Sequence, residues 1–248
     1  MAGRAVLVTG ASRGIGRVVA RAFAAAGDRV AVHFGSSRDA AEATYSALPG
    51  EGHIVVEADF ADPEAVRRAV DEAAEKLGGL DILVNNAGVY LEQPVDEGSY
   101  EEWLEHWRET IDVNLIGAAN AIWCAARHML PAGGGRIVNV SSRGAYRGEP
   151  RHPAYGASKA GLNALGQSMA QALGPHGIGV LTLAPGYVET EMVNGTLRER
   201  GEEILQQSPF GRIARPEEVA HAVLFLASPE AEFASGAVLD LNGASYLR

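Results

Sequence analysis

Short apolar runs alternate with longer amphipathic stretches along the whole of this 248-residue chain, and that alternation constrains its fold more than any other feature. The runs stand at 4–9, 29–34, 53–57, 80–85, 136–141, 179–184 and 237–241. This is the rhythm of a parallel sheet carrying helices on both faces, so the expected class is α/β, doubly wound, with seven strands. Helix starts are signed by Ser36-Ser37-Arg38-Asp39, by Asp62 before Pro63, by the capping box Ser99-Tyr100-Glu101-Glu102, and by Arg215-Pro216-Glu217-Glu218. Gly133-Gly134-Gly135 reads as a turn into a strand. With no repeat and no low-complexity linker, the expectation is one domain over 1–248. The longest stretch without strand character, 187–211, follows the sixth strand and is placed to act as a substrate lid.

Composition narrows the function classes. Apolar residues make up 47% of the chain, enough for a substantial core. A formal charge of −10 without any cluster of Lys and Arg argues against a nucleic-acid partner. The single cysteine, Cys124, allows no internal disulfide or multi-cysteine metal site and fits a reducing cytoplasm. It lies in an apolar helical run and reads as core. The seven histidines show no metal-ligand spacing, so no metal is expected. Residues 1–8 carry too short an apolar stretch for a signal peptide, and nothing approaches the ~20 apolar residues of a membrane span.

The segment Thr9-Gly10-Ala11-Ser12-Arg13-Gly14-Ile15-Gly16 follows an apolar strand directly and precedes a helical pattern. Glycine permits a tight turn and close approach of backbone to a pyrophosphate, while the first helical N–H groups face the negative charge. At the end of the second strand an NAD site usually places a carboxylate for the ribose, whereas an NADP site omits it and supplies arginine. Here the chain reads His33-Phe34-Gly35-Ser36-Ser37-Arg38, with no acid before Asp39, which the cap explains better. Arg13 and Arg38, with the hydroxyls of Ser36 and Ser37, are candidates to clamp a 2′-phosphate, which favours NADP(H) over NAD(H). Far downstream, Tyr155 and Lys159 stand at i, i+4 on one face of a predicted helix. A phenol titrates near ~10, and an ammonium one turn away moves it toward the working range. Proton transfer and hydride transfer then meet in one cleft.

These motifs, together with Asn85-Asn86-Ala87-Gly88, Asn114, Ser142 and Pro185-Gly186, resemble the classical short-chain dehydrogenase/reductases from end to end. Within that family the chain looks most like the beta-ketoacyl carrier-protein reductases, also through 212–220 and Leu241-Asn242-Gly243. The resemblance implies a single Rossmann-type domain and an NADPH-dependent carbonyl reductase. It implies that Tyr155 protonates the substrate oxygen, that Ser142 holds the same oxygen, that Lys159 depresses the tyrosine pKa and binds the nicotinamide ribose, and that Asn114 anchors a proton-carrying water. It places Asp59 and Phe60 beside the adenine, Asn86, Ala87 and Gly88 against the adenosine ribose, and Pro185, Gly186, Val188 and Thr190 around the carboxamide. Gly10, Ser12, Arg13, Gly14, Ile15 and Gly16 form the phosphate turn. A homotetramer is the family's usual assembly, with interfaces expected on 118–129 and 160–173.

The chain departs from the acyl-reductase pattern in two places. Residues 89–113 run longer than usual and carry Trp103 and Trp107 at i, i+4, and Pro131-Ala132-Gly133-Gly134-Gly135 stands where basic residues for docking a carrier protein are common. Arg143, Arg147, Arg151 and His152 lie between Ser142 and Tyr155, open to either an anionic substrate or a solvated surface. Tyr90, Arg143, Tyr146, Tyr187 and Met192 are candidate pocket walls. The leading expectation is reduction of a 3-oxoacyl thioester or a related ketone. A sugar, polyol or steroid alcohol dehydrogenase and a non-catalytic dinucleotide sensor stand as the alternatives.

Overall fold

Seven strands, β1 (Ala5–Val8), β2 (Arg29–Phe34), β3 (Ile54–Glu57), β4 (Ile82–Asn85), β5 (Gly135–Val140), β6 (Ile178–Pro185) and β7 (Val238–Leu241), make one sheet in the order β3-β2-β1-β4-β5-β6-β7. Every pairing is parallel. The computed structural model describes residues 3–248, apart from the side chains of Met192 and Thr196. Nine α-helical segments among the described residues connect the strands: α1 (Gly14–Ala25), α2 (Arg38–Ser46), α3 (Pro63–Leu77), α4 (Tyr100–Ile111), α5 (Ala118–Ala132), α6 (Gly144–Arg147), α7 (Pro153–Leu173), α8 (Asn194–Gln206) and α9 (Pro216–Leu226).

The two-residue period of the strands sorts the core into two layers. Leu7, Ala31, Leu83, Ile137 and Val180 point to one face and pack beneath α3, α5 and α7. Val6, Val8, Val32, Val84, Val138 and Leu181 point to the other and pack beneath α1 and α9. Both faces are covered, which is why the strands read as continuous apolar runs. Side chains such as Leu7, Phe23 and Ile137 are no more than 1% exposed, each contributing about 1.5–3 kcal/mol on burial. Cys124 belongs to the first layer, as its apolar surroundings predict, and burial pushes its thiol pKa up.

Three of the expected helix starts are capped: at α9 the Glu218 side chain accepts the Arg215 N–H at 2.8 Å, with Pro216 in the first turn. Asp62 accepts the Glu64 N–H at 2.9 Å with Pro63 in the first turn. Ser99 and Glu102 make the reciprocal box, at 3.2 Å and 2.8 Å. At the start of α2 the expected cap is missing: Ser37 holds the N-cap position, yet its hydroxyl makes no cap bond, and Ser36 and Ser37 line the cleft described below. Between α4 and α5 the chain widens into π-helical turns over Asp112–Gly117, a feature that no residue type in the sequence announces. The 187–211 stretch forms a short 3₁₀ turn, Glu191–Val193, and then α8, broken at Arg200 (φ −132°, ψ 23°). Its two ends are tied together by a bridge, with the Ala214 N–H donating to Tyr187 at 3.0 Å and the Glu189 N–H to Ala214 at 2.9 Å.

Candidate active site

The strand order reverses between β1 and β4, and the loops beyond their carboxyl ends part around a cleft of about 520 Å³. Its floor is the glycine turn between β1 and α1. Gly10 and Gly14 sit at φ +64° and +55°, where a side chain is strained. A Cβ on Gly10 would stand 2.9 Å from the Ala87 Cα, and one on Gly16 only 2.3 Å from the Gly10 carbonyl oxygen. Thr9 Oγ1 accepts the N–H groups of Asn86 and Ala87, each at 2.9 Å, and the Asn86 amide donates to the carbonyls of Thr9 and Gly10. The turn is thereby fixed to the end of β4. The first turn of α1 carries no acid, and Arg13 at its N-cap makes no side-chain cap bond, so its leading N–H groups remain free for an anion. This cradle fits a dinucleotide pyrophosphate.

His33 is a member of the site that the sequence reading did not single out. Its Nδ1 accepts the Gly10 N–H at 3.0 Å, which places the ring proton on Nε2, donated to the Ala58 carbonyl at 3.1 Å. The ring is 2% exposed, and burial lowers its pKa to about 4. Its position at the end of β2, where a ribose-binding acid is usual, was the available signal.

Arg13, Ser36, Ser37, Asp59 and Phe60 line one end of the cleft, and β2 ends without a carboxylate. Asp59 also accepts the Ala61 N–H at 2.9 Å. Arg38 does not line the cleft. Its guanidinium lies 5.2 Å from the Phe34 ring centroid and pairs with Glu57.

The opposite end carries the hydrogen-bonding groups. Ser142 follows β5, and Tyr155 and Lys159 project from the first turns of α7. Lys159 is 4% exposed, donates from Nζ to the Val140 carbonyl at 2.9 Å and sits 5.7 Å from the Tyr155 ring centroid. Burial pulls its pKa down to about 8. Burial pushes the Tyr155 phenol up to about 12, opposed by the Ser142 hydroxyl. Desolvation thus outweighs the lowering expected from the ammonium. Asn114 is fully buried in the π-helical stretch, where its amide clamps Val89 by two hydrogen bonds, at 2.8 Å and 3.0 Å, and donates to Ser158 at 3.2 Å. A Cβ on Gly88 would lie 3.1 Å from Asn114 Oδ1 and 3.6 Å from Lys159 Nζ. A side chain there would crowd Asn114.

Over this set, Tyr90 presents its ring to Tyr155 edge-on at 4.7 Å and stacks on His152 at 3.6 Å. Arg143, Tyr187, Pro185, Gly186, Val188 and Thr190 complete the wall beneath the 187–211 segment. Thr190 passes 3.6 Å from the position of a Gly14 Cβ, so this segment crosses the glycine turn. Tyr146 is not brought to the cleft: its hydroxyl accepts from Arg248 at 2.8 Å, beneath the last residues of the chain. The side chain of Met192 lies outside the described residues. Glu149 does line the cleft, unheralded by any spacing, and burial raises its pKa. Trp103 and Trp107 pack against each other at 5.9 Å and do not line it. Among the described residues there is no cluster able to hold a metal ion and no helix long and apolar enough to cross a membrane.

Comparison with known proteins agrees with this geometry. Residues 10–243 match the family model described as enoyl-(acyl carrier protein) reductase. The 3-oxoacyl-[acyl-carrier-protein] reductase FabG of Staphylococcus aureus (strain Mu50) is 36% identical over 246 residues, covering 98% of each chain. The cis-4-hydroxycyclohexanecarboxylate dehydrogenase of Sinomonas cyclohexanicum is 40% identical over 243 residues, 97% of this chain and 95% of that one. A short chain dehydrogenase from Burkholderia cenocepacia J2315, solved in complex with NADP, superimposes with a TM-score of 0.88 at 36% identity, covering 98% of each chain. The chain belongs to the short-chain dehydrogenase/reductase family and is an NAD(P)-dependent oxidoreductase acting on CH–OH and C=O groups.

Proposed function

We propose that the protein is an NADPH-dependent carbonyl reductase in which Tyr155 is the proton donor. The observation that carries this reading is the convergence of Ser142, Tyr155 and Lys159 on the same cleft as the glycine turn. When bound, the dihydronicotinamide supplies a hydride, two electrons and a proton, to the carbonyl carbon. As that bond forms, the C=O π pair moves onto oxygen, and the Tyr155 O–H delivers its proton there to give the alcohol. Ser142 donates a hydrogen bond to the same oxygen. The Lys159 ammonium, held by Val140, lies near the ring face of Tyr155, where it stabilises the phenolate left behind. Asn114 positions Val89 at the cleft wall, and through it the loop that carries Tyr90.

The absence of a carboxylate at the end of β2, with exposed Arg13, Ser36 and Ser37 facing the cleft, supports NADP(H) over NAD(H). The Burkholderia neighbour, solved with NADP, points the same way. A 3-oxoacyl thioester is the substrate suggested by the Staphylococcus relative. A second reading, a ring alcohol or ketone bearing an acid, is favoured by the Sinomonas relative together with the aromatic walls Tyr90 and Tyr187. On α5, Trp123 is 59% exposed, which supports a tetramer that meets another copy through this face. The test is oxidation of NADPH, with NADH in parallel, in the presence of acetoacetyl thioester and of 4-oxocyclohexanecarboxylate. Turnover with NADPH is expected, and tight NADPH binding without turnover on either ketone contradicts the reading.

A further inference from the structure

Next to Ser142 the fold has buried a cation that forms no ion pair among the described residues. Arg143 is 3% exposed, and its guanidinium lies over the Tyr187 ring at 5.1 Å. Nearby, Arg212 and Arg248 are paired with Glu218 and Asp240, whereas Arg143 forms no ion pair among the described residues. Its side chain makes one hydrogen bond there, from Nη1 to the Ser245 hydroxyl at 2.6 Å. A guanidinium carries five N–H donors, so most are left over, and they are not sealed in packing. Arg143 lines both the active-site cleft and a second cavity of about 560 Å³ behind Tyr187. A buried charge of this kind destabilises the fold unless something completes it.

The surrounding charges do not complete it. Glu149 is the carboxyl that acts most favourably on Arg143, but burial raises its pKa and it also faces Arg147 and Arg200. Arg200 is held by Glu203, while Arg147 donates to the neutral Gln207. One half-buried carboxyl, Glu149, therefore faces two guanidiniums, Arg143 and Arg147, that have no ion pair among the described residues. The planar fork of arginine matches a carboxylate bidentately.

The geometry points to Arg143 as the binding group for a carboxylate on the substrate, so that the preferred substrate is a small oxo acid with its carbonyl at Ser142 and Tyr155. Consecutive Cα atoms lie about 3.8 Å apart, which keeps the guanidinium within one side-chain length of the Ser142 backbone. Carbonyl and carboxylate then belong to one short molecule whose body passes between Tyr90 and Tyr187. This assignment deepens the reductase reading and rests on it.

The test separates the two. Binding of cyclohexanecarboxylate and of cyclohexanecarboxamide to the NADP⁺-loaded protein is measured by calorimetry, beside NADPH-dependent reduction of 4-oxocyclohexanecarboxylate and of its methyl ester. The acid is expected to bind at least ~30-fold more tightly than the amide, as a charge-assisted pair does over a neutral one. The kcat/KM ratio of acid to ester is expected to favour the acid to the same degree. Arg143→Met abolishes both preferences, and Arg143→Lys restores part of them. Equal binding of acid and amide by the unmutated protein overturns the assignment without recourse to any variant. So does an Arg143→Met protein that keeps the preference. Arg143-dependent binding of the acid without reduction of either ketone or of acetoacetyl thioester leaves the anion site standing and overturns the reductase reading.

Discussion

The imidazole of His33 accepts a hydrogen bond from the Gly10 N–H at 3.0 Å, joining the end of β2 to the glycine turn that the cofactor needs. With Nε2 donating to Ala58, the neutral ring ties three segments of the cleft together. Replacing it with alanine leaves a buried N–H and a buried carbonyl unpaired. His33→Ala is expected to weaken NADPH binding about tenfold, since losing such a bond costs about 1–2 kcal/mol. Fluorescence titration of NADPH measures it.

The same ring sets an acid limit. Its pKa falls from 6.5 in the unfolded chain to about 4 in the fold, so between those values the unfolded chain binds more protons. Its contribution is present above pH 6.5 and is lost as the pH falls through 4, and His152, also lowered to about 4, acts in the same direction. Urea melts of the cofactor-free protein are expected to show stability declining over this window, with a shallower decline in His33→Gln.

Lys159 acts with the same sign in a more alkaline window. Burial lowers its pKa from 10.5 to about 8, so at neutral pH the charged ammonium opposes folding, and that cost disappears as the pH rises from 8 through 10.5. Lys159→Met loses the bond to the Val140 carbonyl but also the buried charge. It is expected to be about 1–2 kcal/mol more stable than the unmutated protein at pH 7, with the gap closing toward pH 10.5. Its reductase activity is expected to vanish. Chemical denaturation at pH 7 and pH 10 measures the gap.

Cofactor choice rests on what β2 lacks. Ser36→Asp puts a carboxylate where a 2′-phosphate would lie and a free ribose hydroxyl would bind. Relative to the unmutated protein, the NADPH/NADH ratio of kcat/KM is expected to fall by more than about tenfold, and Arg13→Ala to lower the NADPH value alone.

Much of this was legible in the sequence because it is local. β2 occupies the expected residues, and the other strands fall within one or two, since a strand covered on both faces must be apolar throughout. The glycine turn and the Tyr155 and Lys159 pair depend only on neighbours along the chain. What was hidden depends on tertiary pairing. Phe34 and Glu57 become register partners when β2 meets β3, and Arg38 then lies over Phe34 and reaches Glu57 instead of the cleft. Tyr146 is drawn to Arg248, 102 residues away. The π-helical turns that bring Asn114 to Val89 carry no marker residue. The lone charge of Arg143 appears only when the final residues fold over it.

The central claim is that Tyr155 delivers the proton to the substrate oxygen. The direct test is kcat for NADPH oxidation with a reducible ketone, compared between the unmutated protein and Tyr155→Phe, with NADPH affinity measured in both. Removing one oxygen from a ring that Tyr90 packs against should leave the fold and cofactor binding intact. The account predicts a fall in kcat of about 10²- to 10⁴-fold at unchanged NADPH affinity. A Tyr155→Phe protein that turns over within a few-fold of the unmutated one would contradict it.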